Sequence, residues 1–104
     1  MTTFEDRERA FEAKYAHDAE MQFRARSRRN RKLGMWAAGL LGREGTDAVD
    51  YVRDLQRADL SDPGDRVVFD KLVADLDGRV EDDAIREAMS RITTEAKAEL
   101  DAEA

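Results

Sequence analysis

The sequence has no cysteine, one proline, one histidine and one tryptophan, and it carries no long apolar run. Without cysteine there is no disulfide and no thiolate metal site, and nothing calls for an oxidising compartment, so a cytoplasmic location is the default. His17 alone cannot assemble a histidine metal cluster, and Asp18 beside it is a neighbour in sequence rather than a partner on the same helical face. It reads as an exposed, incidental histidine, with a pH-responsive role as the alternative. The longest apolar stretch surrounds Met35 to Leu41, with Gly34 and Gly39 interrupting it, and is too short to span a bilayer. The opening MTTFEDRERAFEAK alternates acids and bases around no apolar core, unlike a secretory signal. Membrane insertion is therefore not expected.

Catalytic and cofactor motifs are missing too. There is no phosphate-binding glycine loop of the Walker type, no dinucleotide fingerprint and no serine in a nucleophile turn. The stretch Asp59 to Asp70 places Gly64 at the sixth position of a calcium loop, but Pro63 sits at the fifth, where a ligand belongs, and Asp70 replaces the long bidentate glutamate. Calcium is excluded on that ground. The residues give no support to an enzyme, a metal or a cofactor.

What the chain does have is charge. Charged residues make up 40% of the 104, against 41% hydrophobic, a balance that suits helices with narrow apolar stripes rather than sheets. A chain of this length supports a single compact core. Phe4, Phe11, Tyr15 and Phe23 recur at spacings of seven, four and eight, which keeps them near one helical face. A helix from residue 3 to about 42 would reach roughly 60 Å, longer than such a domain is wide, so its first part must project or fray. The thinning of the apolar stripe places a break near residue 20, dividing a mobile segment, 1–19, from a bundle, 20–104. Leu33, Trp36, Ala37, Leu40 and Leu41 then read as core, and Gly42 and Gly45 end the helix. Thr46 is the expected cap of a second helix with the stripe Ala48, Tyr51, Val52, Leu55 and Ala58. Ser61, Asp62, Pro63 and Gly64 punctuate the chain before a third helix bearing Val68, Phe69, Leu72, Val73 and Leu76, which Gly78 ends. Ile85, Met89, Ile92, Ala96 and Leu100 mark a fourth. The expected fold is all-α, a four-helix bundle with a mobile or projecting N-terminal helical segment. Trp36, Leu40, Val52, Leu55, Phe69, Leu72, Leu76, Ile85, Met89 and Ile92 are expected to meet in its core.

The charges fall in blocks. The net charge is -6, yet Arg24, Arg26, Arg28, Arg29, Arg31 and Lys32 stand together with no acid between them. One reading is a face paired with the acidic helices that follow. The other is a patch for an anion or an acidic partner. Nucleic acid is a weaker alternative, because no aromatic residue lies in the run to stack a base and the flanking acids would repel a polyanion. A small-nucleotide-sensing bundle is a third.

Three stretches, TTFEDRERAFEAKYAHDAEMQF, ARSRRNRKLGMWAAGLLG and GDRVVFDKLVADL, together resemble the zeta-type inhibitor family of alphaproteobacterial F-type ATP synthases, in order and over essentially the whole chain. The resemblance implies a four-helix bundle whose N-terminal segment inserts into the catalytic head of the synthase, at its cytoplasmic face, and blocks rotation in the hydrolytic direction. It implies an inhibitory element from Thr2 to about Ala19. Carried onto this sequence, Phe4, Phe11 and Tyr15 become candidate anchors, and Thr3, Glu5, Asp6, Arg7, Glu8 and Arg9 candidate polar contacts. It also implies weak adenine-nucleotide binding on the bundle, with no residues assigned. The residues fit the inhibitory role on their own terms. Aromatic anchors in a charged helix suit pockets on a partner and make poor core in the free chain.

Overall fold

The computed structural model describes residues 3–62 and 64–103, so Thr2 and Pro63 lie outside the described residues. Among these the chain forms four helices and no strand: α1 (Thr3–Leu40), α2 (Thr46–Ser61), α3 (Asp65–Asp75) and α4 (Asp82–Glu103). The fold is the expected all-α bundle. α1 packs against α2 and α4, and α3 closes the ring by packing against the same two. Both neighbours run antiparallel to α1: Arg26 meets Asp59 while Gly34 meets Val52, and Arg28 meets Glu103 while Lys32 meets Glu95.

The core is built from the predicted stripes. Leu33, Leu55, Val68, Leu72 and Leu76 are fully buried, joined by Tyr51, Ile85, Ala88, Met89 and Ile92, with Ala96 and Leu100 continuing the buried face of α4. Four residues expected at the centre lie at its margin. Trp36, Leu40 and Phe69 are half-buried against the cluster, and so is Val52. Beside Leu33, the buried face of α1 is instead made by small residues, Gly34, Ala37 and Ala38, and at Gly34 α1 and α2 come close together. Close approach leaves no room for large side chains there, so the large ones wrap the edges.

α1 ends where glycine was expected to end it. Gly42 has φ 71°, its N–H donates to Gly39 O at 3.2 Å, and the Arg43 N–H donates to Ala38 O at 2.9 Å, the paired bonds of a Schellman cap. Arg79 reaches across to donate to Leu40 O at 3.0 Å. α2 starts differently from expectation: Thr46 is its first helical residue, Gly45 holds the cap position, and no side chain caps the end.

The largest departure concerns residue 20. α1 is unbroken from Thr3 to Leu40. The 3–33 stretch holds neither proline nor glycine and is rich in alanine, glutamate and arginine, so local propensity carries the helix past the point where packing stops. What changes near residue 20 is burial. Residues 3–20 are exposed throughout, and from Ala25 to Asn30 every residue is half-buried or buried. The molecule is accordingly elongated, 62 × 25 × 23 Å.

Candidate functional site

The candidate site is the projecting half of α1, and its shape follows from where the neighbouring helices stop. α2 ends at Ser61 and α4 at Glu103, and their last turns meet α1 at Arg26 and Arg28. Among the described residues no helix accompanies α1 before that level. At ~1.5 Å per residue, the 18 residues from Thr3 to Glu20 make an arm about 27 Å long. Thr3, Phe4, Glu5, Asp6, Arg7, Glu8, Arg9, Phe11 and Tyr15 all lie on this arm and are all exposed. Phe4 is 75% exposed, and Phe11 and Tyr15 71% each, values that exclude packing onto the bundle. Glu5 and Arg9 have interactions of their own. His17 is exposed on the same arm, and no group of side chains suited to a metal occurs among the described residues.

The basic run stands at the root of the arm, where the bundle begins, and the structure spends most of it internally. Arg26 grips Asp59 with two hydrogen bonds of 2.6 Å, from Nε and Nη2. Arg29, itself buried, donates to Asp65 at 2.7 Å and lies 3.6 Å from Asp59. Arg28 pairs with Glu103 at 2.7 Å, and Lys32 with Glu95 and Glu99. Arg24 pairs within the helix, with Glu20. Of the six, Arg31 is the cation with no ion pair among the described residues.

Asp59 is the hub of this cluster, and sequence reasoning missed it. Besides the two bonds from Arg26 and the nearby charge of Arg29, it accepts from Asn30 Nδ2 at 2.8 Å, and Asn30 also donates to Gln56, which donates on to the Ser27 carbonyl at 3.0 Å. Burial alone would raise the Asp59 carboxyl, but hydrogen bonds from Arg26 and Asn30 outweigh it and hold the group below the usual carboxylate range. A signal existed: Asp59 continues the α2 stripe Ala48, Tyr51, Leu55 at a spacing of four, and Asn30 precedes Leu33 and Ala37 on α1. A polar residue at an inward position marks a buried polar network. Ala58, read as inward, is half-buried beside it.

Two open clefts flank the root. One of about 630 Å³ lies between α1 and the end of α4, lined by Arg26, Arg29, Lys97 and Leu100 among others; the second, about 240 Å³, lies between α1 and the end of α2. Phe23, 63% exposed, borders both.

A family model, ATPase inhibitor subunit zeta, matches residues 1–99. The chain belongs to that family. As a zeta-family inhibitor subunit it falls in a regulatory class whose name implies an ATP synthase partner. A solved relative, determined by NMR in solution, is 36% identical over 81% of this chain and 99% of its own, with a TM-score of 0.72. Among curated proteins none matches this sequence. No helix among the described residues is long and apolar enough to cross a membrane.

Proposed function

We propose that this zeta-family chain inhibits ATP hydrolysis by an F-type ATP synthase, inserting its N-terminal arm into the catalytic head at the cytoplasmic face and blocking rotation. The observation that carries the reading is the set of three aromatic side chains on a helix segment that nothing else among the described residues covers. Leaving Phe4, Phe11 and Tyr15 in water forgoes roughly 1.5–3 kcal/mol of burial for each large apolar side chain, which a concave partner recovers. The bundle acts as a handle that sets the direction of the arm, because the Asp59 cluster ties its root to α2 and α3. Internal pairing of the basic run supports a protein partner over a nucleic acid, since few of those cations are left to meet phosphates.

The test is ATP hydrolysis by the purified catalytic head with the full-length chain and with a chain lacking residues 2–19, at equal concentration. Loss of inhibition on truncation, with the helical bundle still folded by circular dichroism, is the expected result. Equal inhibition by both would move the inhibitory element to the bundle, with the Arg24 to Lys32 region the next place to look.

A further inference from the structure

The arm carries a second layer of information beside its aromatics. At ~100° per residue Phe4, Phe11 and Tyr15 fall within about 40° of one another, so they form one narrow stripe. On the same wheel Glu5, Glu8 and Glu12 lie along one edge of the stripe, and Arg7 and Lys14 lie along the other. Asp18 interrupts the basic edge, but only beyond Tyr15, toward the root. Over the span of the three aromatics the two edges are each of one sign.

Elsewhere in this molecule several surface charges are paired along their own helix. Neighbours three or four apart pair acid with base: Asp50 with Arg53, Lys71 with Asp75, and Arg91 with both Glu87 and Glu95. Such spacing stabilises a helix by a few tenths of a kcal/mol per pair, and like charges at that spacing destabilise it by similar amounts. On the arm, Glu8 and Glu12 are like charges four apart, and neither they nor Arg7 and Lys14 form an ion pair among the described residues. Along the span of the three aromatics, the edges flanking the stripe thus keep one sign each, with Arg7, Glu8, Glu12 and Lys14 in no ion pair among the described residues.

We infer that the arm docks in an apolar groove with walls of opposite charge, a basic wall facing Glu8 and Glu12 and an acidic wall facing Arg7 and Lys14. The inference rests on the inhibitory reading above and names the chemistry of the partner surface. An aromatic stripe alone would fit a groove at several roll angles and in either chain direction, whereas opposed charged edges select one roll and one direction. A wrong roll sets like charges against each other in a partly desolvated groove. Orientation matters for an arm fixed to a bundle, because turning the arm turns the bundle with it.

The edges can be exchanged without altering composition or net charge. The fourfold variant Arg7→Glu, Glu8→Arg, Glu12→Lys and Lys14→Glu keeps the stripe, the number of each charge and the like-charge spacing of positions 8 and 12. Inhibition of ATP hydrolysis by the catalytic head is compared for this variant and the unaltered chain, with a melting curve for each. The expected result is at least a tenfold rise in the concentration giving half-inhibition, with the melting temperature unchanged. Equal potency of the two chains overturns the inference while leaving the inhibitory reading intact. Failure of the unaltered chain to inhibit at all overturns both.

Discussion

The two halves of α1 have the same backbone and opposite surroundings. From Ala25 on, the helix faces two antiparallel neighbours, its charges are mostly matched across helices, and its buried face passes from Arg29 and Asn30 to Leu33, Gly34, Ala37 and Ala38. Before Glu20 it faces solvent on every side, and Phe4, Phe11 and Tyr15 are each more than two-thirds exposed. A helix of under twenty residues is marginal in water when only propensity supports it. Order in the second half comes from packing, and in the first half only from local preference. The difference between them can be broken or sharpened experimentally.

Leu72 gives the largest expected effect. It is fully buried in the common core, so Leu72→Ala removes its burial and leaves a cavity, at a cost of roughly 2–5 kcal/mol. Denaturant unfolding reads that cost directly. An unchanged midpoint would mean that α3 is not part of the core that holds the second half of α1.

The Asp59 cluster comes next. Asp59→Ala leaves Arg29 buried with the exposed Asp65 as its remaining carboxylate and Asn30 Oδ1 as a neutral acceptor, and breaking a buried pair from one side is expected to cost about 3 kcal/mol. The pH dependence has a fixed sign. The folded Asp59 carboxyl lies below its unfolded value, so its contribution is complete above the ordinary carboxylate range, about pH 4, and disappears as pH falls through the folded value. Stability should therefore be flat in this respect near neutrality and fall on the acid side. In the Asp59→Ala chain that acid limb should be shallower. An equally steep limb would assign the acid sensitivity to other carboxylates.

Gly34 tests the closeness of α1 and α2. A Cβ there would stand 2.9 Å from Val52 Cγ2 and 3.1 Å from Val52 Cα, and the second contact is backbone that cannot rotate away. Gly34→Ala gains helix propensity but forces the helices apart, with a net cost of about 1–2 kcal/mol. A stabilised variant, measured by thermal melting, would show that the helices separate freely.

Much of this contrast was legible in the sequence, and the rest was hidden for definite reasons. The stripe of α4 from Ile85 to Leu100 is buried as its spacing foretells, because a long helix with a regular i, i+4 pattern has one way to lie on a core. Gly34 reads as an interruption of an apolar run, whereas it is a point of close approach between α1 and α2. Only the partner's position, Val52, reveals that. The thinning of apolar residues before residue 20 was visible, but thinning marks the end of burial and not the end of a helix. Nothing between Thr3 and Leu33 breaks one. The candidate contacts Phe4, Phe11 and Tyr15 stood out because they are large apolar residues among charges. Asp59 did not stand out, since an acid in an acidic chain is unremarkable until its partners are known.

The smallest expected change in stability belongs to the arm itself. Phe4, Phe11 and Tyr15 touch no core residue, so replacing all three with Ala should shift folding stability by under about 0.5 kcal/mol, as for surface sites without special contacts. Alanine is also the better helix former, which offsets any loss of contacts along the arm. The same substitutions remove the apolar surface the proposed partner would bury, so inhibition should collapse while the melting curve stays in place. Amide exchange gives an independent view: with no tertiary packing to hold it, residues 3–18 should exchange orders of magnitude faster than α3 in the free chain, and slow down in the complex. Protection in the free chain equal to that of α3 would show that the arm is held by something other than local preference. A large loss of stability in the triple variant would show the same, and would place the aromatics in the fold rather than at the partner's surface.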